Sequence, residues 1–288
     1  MHFIKQYSLG FMLFMLAACS TPDATDQKAD KDSYATIKPY FKTDWAMNKL
    51  WDDGLAEVAI YDAERVVYGN NREFEFAMIT VKEDFNREYN VKTDNYTRND
   101  LFPVMKINQL CRIPTDNYPY HYMTSVFVNR QYPWDLHKLT TSSQEWCGNT
   151  FKSITRGRNF ILNYSSYFDG QGEGTWQLST ELLFEDQLPY SLRALRFESK
   201  PTFNVTIAET QQTNKAAQPE EYNATITATE ATIEGKATWL VNVQLAPNKV
   251  NQYWFATAYP NTLIRQKTWD GRTLELKKIS RYAYWQGN

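Results

Sequence analysis

The chain has 288 residues, a formal net charge of −2, three cysteines and three histidines, and 15% of it is aromatic. So even a charge balance leaves no basic footprint for nucleic acid or anionic lipid, and no apolar run approaches the roughly 20 residues of a membrane-spanning helix. The length suffices for one large domain or two modest ones, and aromatic residues alongside Thr, Val and Ile point to strands.

The N-terminus reads as an export signal. Met1-His2-Phe3-Ile4-Lys5 carries one positive charge, and every residue at 9–18 is apolar or Gly. Ten residues rise about 15 Å as a helix, half of a hydrocarbon core of about 30 Å, so the stretch is the apolar region of a signal peptide. It closes with Leu16-Ala17-Ala18-Cys19: a Leu, two small residues and a thiol able to take a diacylglyceryl group. Residues 1–18 therefore read as a lipoprotein signal peptide and Cys19 as the lipidated residue. Two or three acyl chains anchor stably, since each buried CH₂ contributes about 0.8 kcal/mol and one chain is only marginal. Residues 19–35, polar and acidic until Tyr34, read as a lipidated flexible tether. Ser20 behind the cysteine points to the outer membrane of the cell envelope, with its periplasmic face and the cell surface both open.

Residues 43–51 read as a short helix, with Thr43 or Asp44 as cap and Gly54 just past its end. From Ala56 the period becomes two. Ala56, Val58 and Ile60 alternate with Glu57, Ala59 and Tyr61, and after the turn signal Gly69-Asn70-Asn71, Phe74, Phe76 and Met78 alternate with Glu73 and Glu75. That pattern is a hairpin of long strands. Strand runs follow at 102–112, 120–130, 136–144, 150–167 and 174–178. The glycines at 170, 172 and 174 mark a hairpin tip with no helix behind them to hold a phosphate. At 179–195 the spacing of Leu182, Leu188, Leu192 and Leu195 predicts one or two short helices interrupted at Pro189. Strands resume at 203–208, 222–233, 237–245, 252–258, 263–268 and 273–279, with Asp270-Gly271 turning the last hairpin. The polar stretch 210–221 reads as a mobile loop. The architecture expected is mainly β: curved antiparallel sheets forming an open or half barrel, with a few short covering helices. Residues 36–200 form a β-rich N-terminal part ending in short helices, and residues 201–288 a C-terminal antiparallel part of the same body.

Cys111 and Cys147 remain in the mature chain, in a compartment that permits disulfides. A bridge between them would close a loop of about 36 residues and contribute around 3 kcal/mol. The alternative is a reactive Cys147 activated by His121 or His137, with Gln144 donating to an oxyanion, in an acyl-transfer or hydrolytic site. No HExxH, paired CxxC, GxSxG elbow, Walker loop or dinucleotide fingerprint occurs, so neither metal nor cofactor is expected. Carboxylates such as Glu57, Glu64, Glu145, Asp169 and Glu173 are too scattered for sequence to single out a glycosidase pair.

The run Tyr120-His121-Tyr122-Met123-Thr124-Ser125-Val126-Phe127, the run Thr140-Thr141-Ser142-Ser143-Gln144-Glu145-Trp146-Cys147-Gly148, and Trp51-Asp52-Asp53-Gly54-Leu55-Ala56-Glu57 with Tyr61 resemble a family of bacterial envelope lipoproteins. These are common in Bacteroidetes and carry the label "septum formation inhibitor". The resemblance covers about 50–200. The label implies no mechanism here, because the nucleotide pyrophosphatases that share it are cytoplasmic α/β proteins. Separately, Tyr253-Trp254-Phe255, Pro260, Leu263-Ile264-Arg265 and Trp269-Asp270-Gly271 are similar to envelope β proteins with a spiral or half-barrel sheet. Neither resemblance supplies functional residues. The function expected is non-enzymatic: binding an apolar or glycan ligand, or scaffolding envelope assembly with a protein partner. A deep apolar groove would favour a lipid carrier, a shallow aromatic strip glycan binding, and a filled core a scaffold.

Overall fold

Strands β1 (Ala56–Val67) and β2 (Asn70–Asn86) meet at a two-residue turn, Tyr68-Gly69, in which both residues have positive φ, 53° and 75°. That conformation matches the right-handed twist of the flanking strands, and it places the turn one residue before the expected Gly69-Asn70-Asn71. The computed structural model of the chain describes residues 34–286; the signal peptide, Cys19 and nearly all of the tether lie outside the described residues. The remaining strands are β3 (Val91–Lys92), β4 (Leu101–Ile113), β5 (Tyr120–Asn129), β6 (Leu136–Glu145), β7 (Gly148–Arg156), β8 (Phe160–Ser166) and β9 (Glu173–Leu178). They are followed by β10 (Leu182–Phe184), β11 (Thr202–Ala208), β12 (Glu221–Ile233), β13 (Lys236–Ala246), β14 (Lys249–Ala256), β15 (Leu263–Lys267) and β16 (Thr273–Tyr282). The run expected as one strand at 150–167 is two, β7 and β8, paired as a hairpin.

All sixteen strands belong to one sheet, in the order β10-β11-β12-β13-β14-β15-β16-β1-β2-β4-β5-β6-β7-β8-β9, with β3 attached to β2. Every pairing is antiparallel except β10 with β11. Strand β1 pairs with β16, Ala56 opposite Tyr282 and Glu64 opposite Thr273, so one sheet carries both the N-terminal and the C-terminal part.

The expected open or half barrel is corrected. The sheet is large and mainly antiparallel, but it is neither closed nor strongly curled: β10 and β9, the two ends of the strand path, are not paired with each other. The physical reason lies in what covers its apolar face. Every residue from 182 to 195 is buried, so a separate segment, and not the sheet folding over on itself, removes this surface from water. That segment holds β10, the short helix α1 (Leu188–Ser191) and 3-10 turns at Glu185–Gln187 and Leu192–Ala194. Pro189 sits in the first turn of α1, where its missing N–H costs nothing. Gln187 and Ser191 are satisfied within it: Gln187 Nε2 donates to Trp134 O and Ser191 Oγ, both at 3.1 Å, and Ser191 Oγ donates to Pro133 O at 2.6 Å.

A second cover, the 3-10 turns Trp45–Met47 and Lys49–Asp52, stands where the short helix was expected. The two covers and the sheet meet at a buried ion pair. Arg193 donates to both Glu57 oxygens, at 2.7 and 2.9 Å, and to Pro260 O at 2.9 Å. Its guanidinium lies 5.1 Å from the Trp45 ring and 5.7 Å from Trp51. Among the described residues no helix is long and apolar enough to cross a membrane.

Across strands β4 to β8 the covered face changes character row by row. Ile107, Val126, Leu139, Ile154 and Leu162 stand in register and are fully buried; burial of side chains of this kind contributes about 1.5–3 kcal/mol each. Two residues along, the row becomes Gln109, Thr124, Thr141 and Lys152, and the next is Cys111, Tyr122, Ser143, Thr150 and Ser166. These polar rows lie under the connection between β11 and β12. Expected as a mobile loop, it buries Gln211, Gln212, Ala216 and Pro219.

Candidate functional site

Beyond the polar rows, at the same end of the sheet, four hairpin turns carry aromatic residues. A side chain at the tip of a connection beyond the last strand pair has no core to pack into, so an aromatic placed there stays in water unless a neighbour covers it. Tyr68, Trp146 and Tyr167, in the β1–β2, β6–β7 and β8–β9 connections, are 71%, 79% and 74% exposed. The β4–β5 connection adds Tyr118.

Local chemistry fixes each ring. Arg72 on β2 grips Asp116 with two parallel bonds of 2.7 and 2.9 Å, tying the β4–β5 connection to the sheet. Within that connection Thr115 Oγ1 donates to Tyr118 O at 2.6 Å and accepts from Tyr118 N at 3.3 Å. Trp146 then stacks on Tyr118, centroids 5.8 Å apart and planes 21° apart. Behind Tyr118 the rings continue inward: Tyr120 at 5.9 Å from it, Tyr122 at 6.2 Å from Tyr120 and stacked, and Arg65 5.3 Å above Tyr122. Tyr167 lies on Gly148, where a Cβ would come within 2.4 Å of its ring. Only glycine admits that contact.

Polar groups stand beside the rings. The Tyr68 and Tyr120 hydroxyls are hydrogen-bonded to each other. Burial, then bonding to Tyr68 and to Glu145, raises the Tyr120 phenol above its ordinary range, so it stays protonated. Glu145 Oε1 accepts from Asn214 Nδ2 at 3.0 Å. The Tyr118 hydroxyl lies 3.2 Å from Cys147 Sγ, and this bond raises its pKa.

The residues singled out from sequence are not brought together. Cys111 and Cys147 are both free, the first buried and the second exposed, so the expected bridge is absent. Cys111 stands on β4 opposite Tyr122 on β5, which stands opposite Ser143 on β6. Two strand spacings, about 9.5 Å, therefore separate Cys111 from the strand leading into Cys147, beyond the roughly 7 Å that a disulfide spans. His121 is exposed on the opposite face of β5, between Arg112 and Gln144. His137 lies at the far end of the sheet, its Nε2 bonded to Asn90 Oδ1 at 2.5 Å. Burial pushes it down to about 4. The side chain hydrogen-bonded to Cys147 is thus that of a tyrosine, Tyr118. Among the described residues no group of three or more His, Cys, Asp or Glu is arranged to hold a metal ion. Tyr68, Tyr118 and Tyr167 escaped the sequence reading; an aromatic close before a turn glycine, Tyr68 before Gly69 and Tyr167 before Gly170, is a signal that could have found two of them, and Tyr118 has no such neighbour.

No family model matches the chain, and no curated protein or solved structure matches it.

Proposed function

We propose that this chain is a non-enzymatic, lipid-anchored envelope protein that binds glycan on its aromatic rim. The observation that carries the reading is Trp146, 79% exposed and stacked on Tyr118. Exposed aromatics spend apolar surface in water, and contiguous patches of them mark interaction sites. A ring held flat by a second ring is a rigid platform with little entropy to lose on binding. Sugar rings offer it C–H faces, while their hydroxyls meet Glu145, the Tyr68 hydroxyl and backbone groups of the turns.

Two cavities among the described residues, of about 40 and 240 Å³, are below the roughly 300–1,000 Å³ of sites that enclose a ligand, so neither suits an enclosed apolar one. Cysteine-dependent chemistry would need a histidine at hydrogen-bond distance from Cys147, and Tyr118 occupies that position.

The test is binding of the mature, detergent-solubilised protein to a panel of soluble oligosaccharides, followed by Trp146→Ala. Loss of about 0.5–1.5 kcal/mol per ring contact, up to roughly tenfold in affinity, is expected with the fold unchanged by circular dichroism. Binding unaffected by Trp146→Ala and by Tyr118→Ala would remove the rim from the function.

A further inference from the structure

The connection between β11 and β12, residues 209–220, is a strap drawn across the polar rows of the sheet. Its sequence, Glu209-Thr210-Gln211-Gln212-Thr213-Asn214-Lys215-Ala216-Ala217-Gln218-Pro219-Glu220, has no apolar side chain larger than proline. Little hydrophobic energy therefore holds it down. Hydrogen bonds do. Its acceptors go to cations of the floor: Lys152 Nζ donates to Thr213 Oγ1 at 3.1 Å and to Lys215 O at 3.0 Å, and Arg65 Nη1 donates to Gln212 O at 3.1 Å. Its donors go to a carboxylate: Thr210 Oγ1 and Gln211 N reach Asp186 at 2.7 and 2.8 Å.

Lys152 is 1% exposed, and both of its bonds are to uncharged oxygens of the strap. Burial of the ammonium without a paired carboxylate pushes its pKa down to about 8. Arg65 likewise makes no ion pair among those of the described residues. A buried cation is ordinarily paired with an anion; here the buried Lys152 and the half-buried Arg65 bond to carbonyl and hydroxyl oxygens of the strap. A cavity of about 40 Å³ adjoins Arg65, walled by Gln109, Asp186, Gln266 and the strap's Thr210 and Gln212. That is room for one or two waters. Gln266, 7% exposed, has an Oε1 there without a hydrogen-bond partner. The strap also touches the aromatic rim, through Asn214 Nδ2 on Glu145 and through Ala216 N on Gln171 Oε1 at 2.7 Å.

We propose that the strap is a displaceable lid over a cationic subsite, in which Lys152 and Arg65 take the carboxylate of an acidic saccharide whose neighbouring units lie on the rim. The strap imitates such a ligand, presenting acceptors to the two cations and donors to Asp186. A uronic-acid unit presents hydroxyl donors and acceptors together with one full negative charge, which strengthens the bonds to Lys152 and Arg65 relative to neutral oxygens. The choice of a saccharide rests on the glycan reading of the rim; the lid does not.

Hydrogen–deuterium exchange on the mature, detergent-solubilised protein tests it at pH 7 with two probes, an oligogalacturonate and a neutral cello-oligosaccharide of equal length. The acidic probe is expected to accelerate exchange across 209–220 at least fivefold, and the neutral probe to leave it unchanged. Lys152→Met should weaken the acidic probe at least tenfold and the neutral probe little. Should that variant not fold, Asn214→Ala serves: it removes the bond to Glu145, leaves the floor intact, and should raise affinity for the acidic probe several-fold by making the open state cheaper to reach. A purely structural strap would give no gain in affinity. Unchanged exchange with the acidic probe, or equal affinities in wild type and Asn214→Ala, overturns the lid. If the neutral probe binds and the acidic probe opens nothing, the lid fails and the rim stands. If the acidic probe opens the strap and Trp146→Ala alters neither probe, the rim fails and the lid stands.

Discussion

Replacing Arg193 with Leu should unfold the chain more readily than almost any other single change. Glu57 is 4% exposed, and its carboxylate receives both Arg193 bonds, at 2.7 and 2.9 Å. Removing the guanidinium leaves a buried carboxylate uncompensated and Pro260 O without this donor. It also removes the guanidinium's contacts with the Trp45 and Trp51 rings. Breaking one partner of a buried pair costs about 3–5 kcal/mol, a large part of the roughly 5–15 kcal/mol that holds a domain together. For a body of this size the melting temperature should fall by roughly 10 °C. Urea unfolding followed by tryptophan fluorescence measures the loss at its source, since Trp45 and Trp51 flank the ion pair. The double variant Glu57→Leu, Arg193→Leu removes both charges and should cost less than the sum of its parts. A single variant within about 1 kcal/mol of wild type, or a double variant as costly as the two singles added, would refute the argument that this pair locks the covers to the sheet.

Three further outcomes follow from particular residues. His137 packs edge-on against Phe85 and Phe102 and burial lowers its pKa to about 4, so the folded state favours the neutral ring. Its stabilising contribution is complete above the unfolded value of about 6.5 and is lost as pH falls from there toward 4, about 3 kcal/mol in all; denaturant titrations of wild type and His137→Phe should diverge in slope over that window, and parallel curves would exclude the assignment. Native alkylation without reductant should label one thiol, Cys147, with Cys111 reacting only in denaturant because burial pushes its thiol up to about 12; two thiols labelled natively, or none before reduction, would contradict this. Cys19→Ala should abolish incorporation of labelled fatty acid and release the protein from membranes, and a variant that still takes up label would end the lipoprotein reading.

The period-two pattern located the strands because each has one wet face, and alternation survives wherever that is so. It failed where burial is complete. Leu182, Leu183 and Phe184 are buried without alternation and form β10, parallel to β11, in a stretch where leucine spacing suggested only helix. Nor can periodicity say which strand pairs with which. The pairing of β1 with β16, more than 200 residues apart in the chain, runs from Ala56 opposite Tyr282 to Glu64 opposite Thr273, and no local pattern points to it. Whether a sheet of such strands closes is likewise beyond what alternation can decide. In place of the expected half barrel, a segment, 182–195, covers the apolar rows directly and leaves the sheet no need to curl.

The rim and the strap were less legible, for a different reason. Their residues come from five connections, and a connection's position is set by the strands it joins. Trp146 and Cys147 drew attention as a possible nucleophile region, yet the two-residue turn between Glu145 and Gly148 puts both side chains at the sheet's edge, next to Tyr118 and away from either histidine. The composition of residues 209–220 correctly indicated a segment unable to build a core of its own. It did not reveal that Lys152, Arg65 and Asp186 supply the partners such a segment needs. A polar strap on a polar floor exchanges hydrogen bonds with water at small net energy, whereas the apolar rows beneath 182–195 cannot be uncovered so cheaply. The sheet therefore carries two covers of unequal strength on one face, and the weaker of them borders the exposed aromatics.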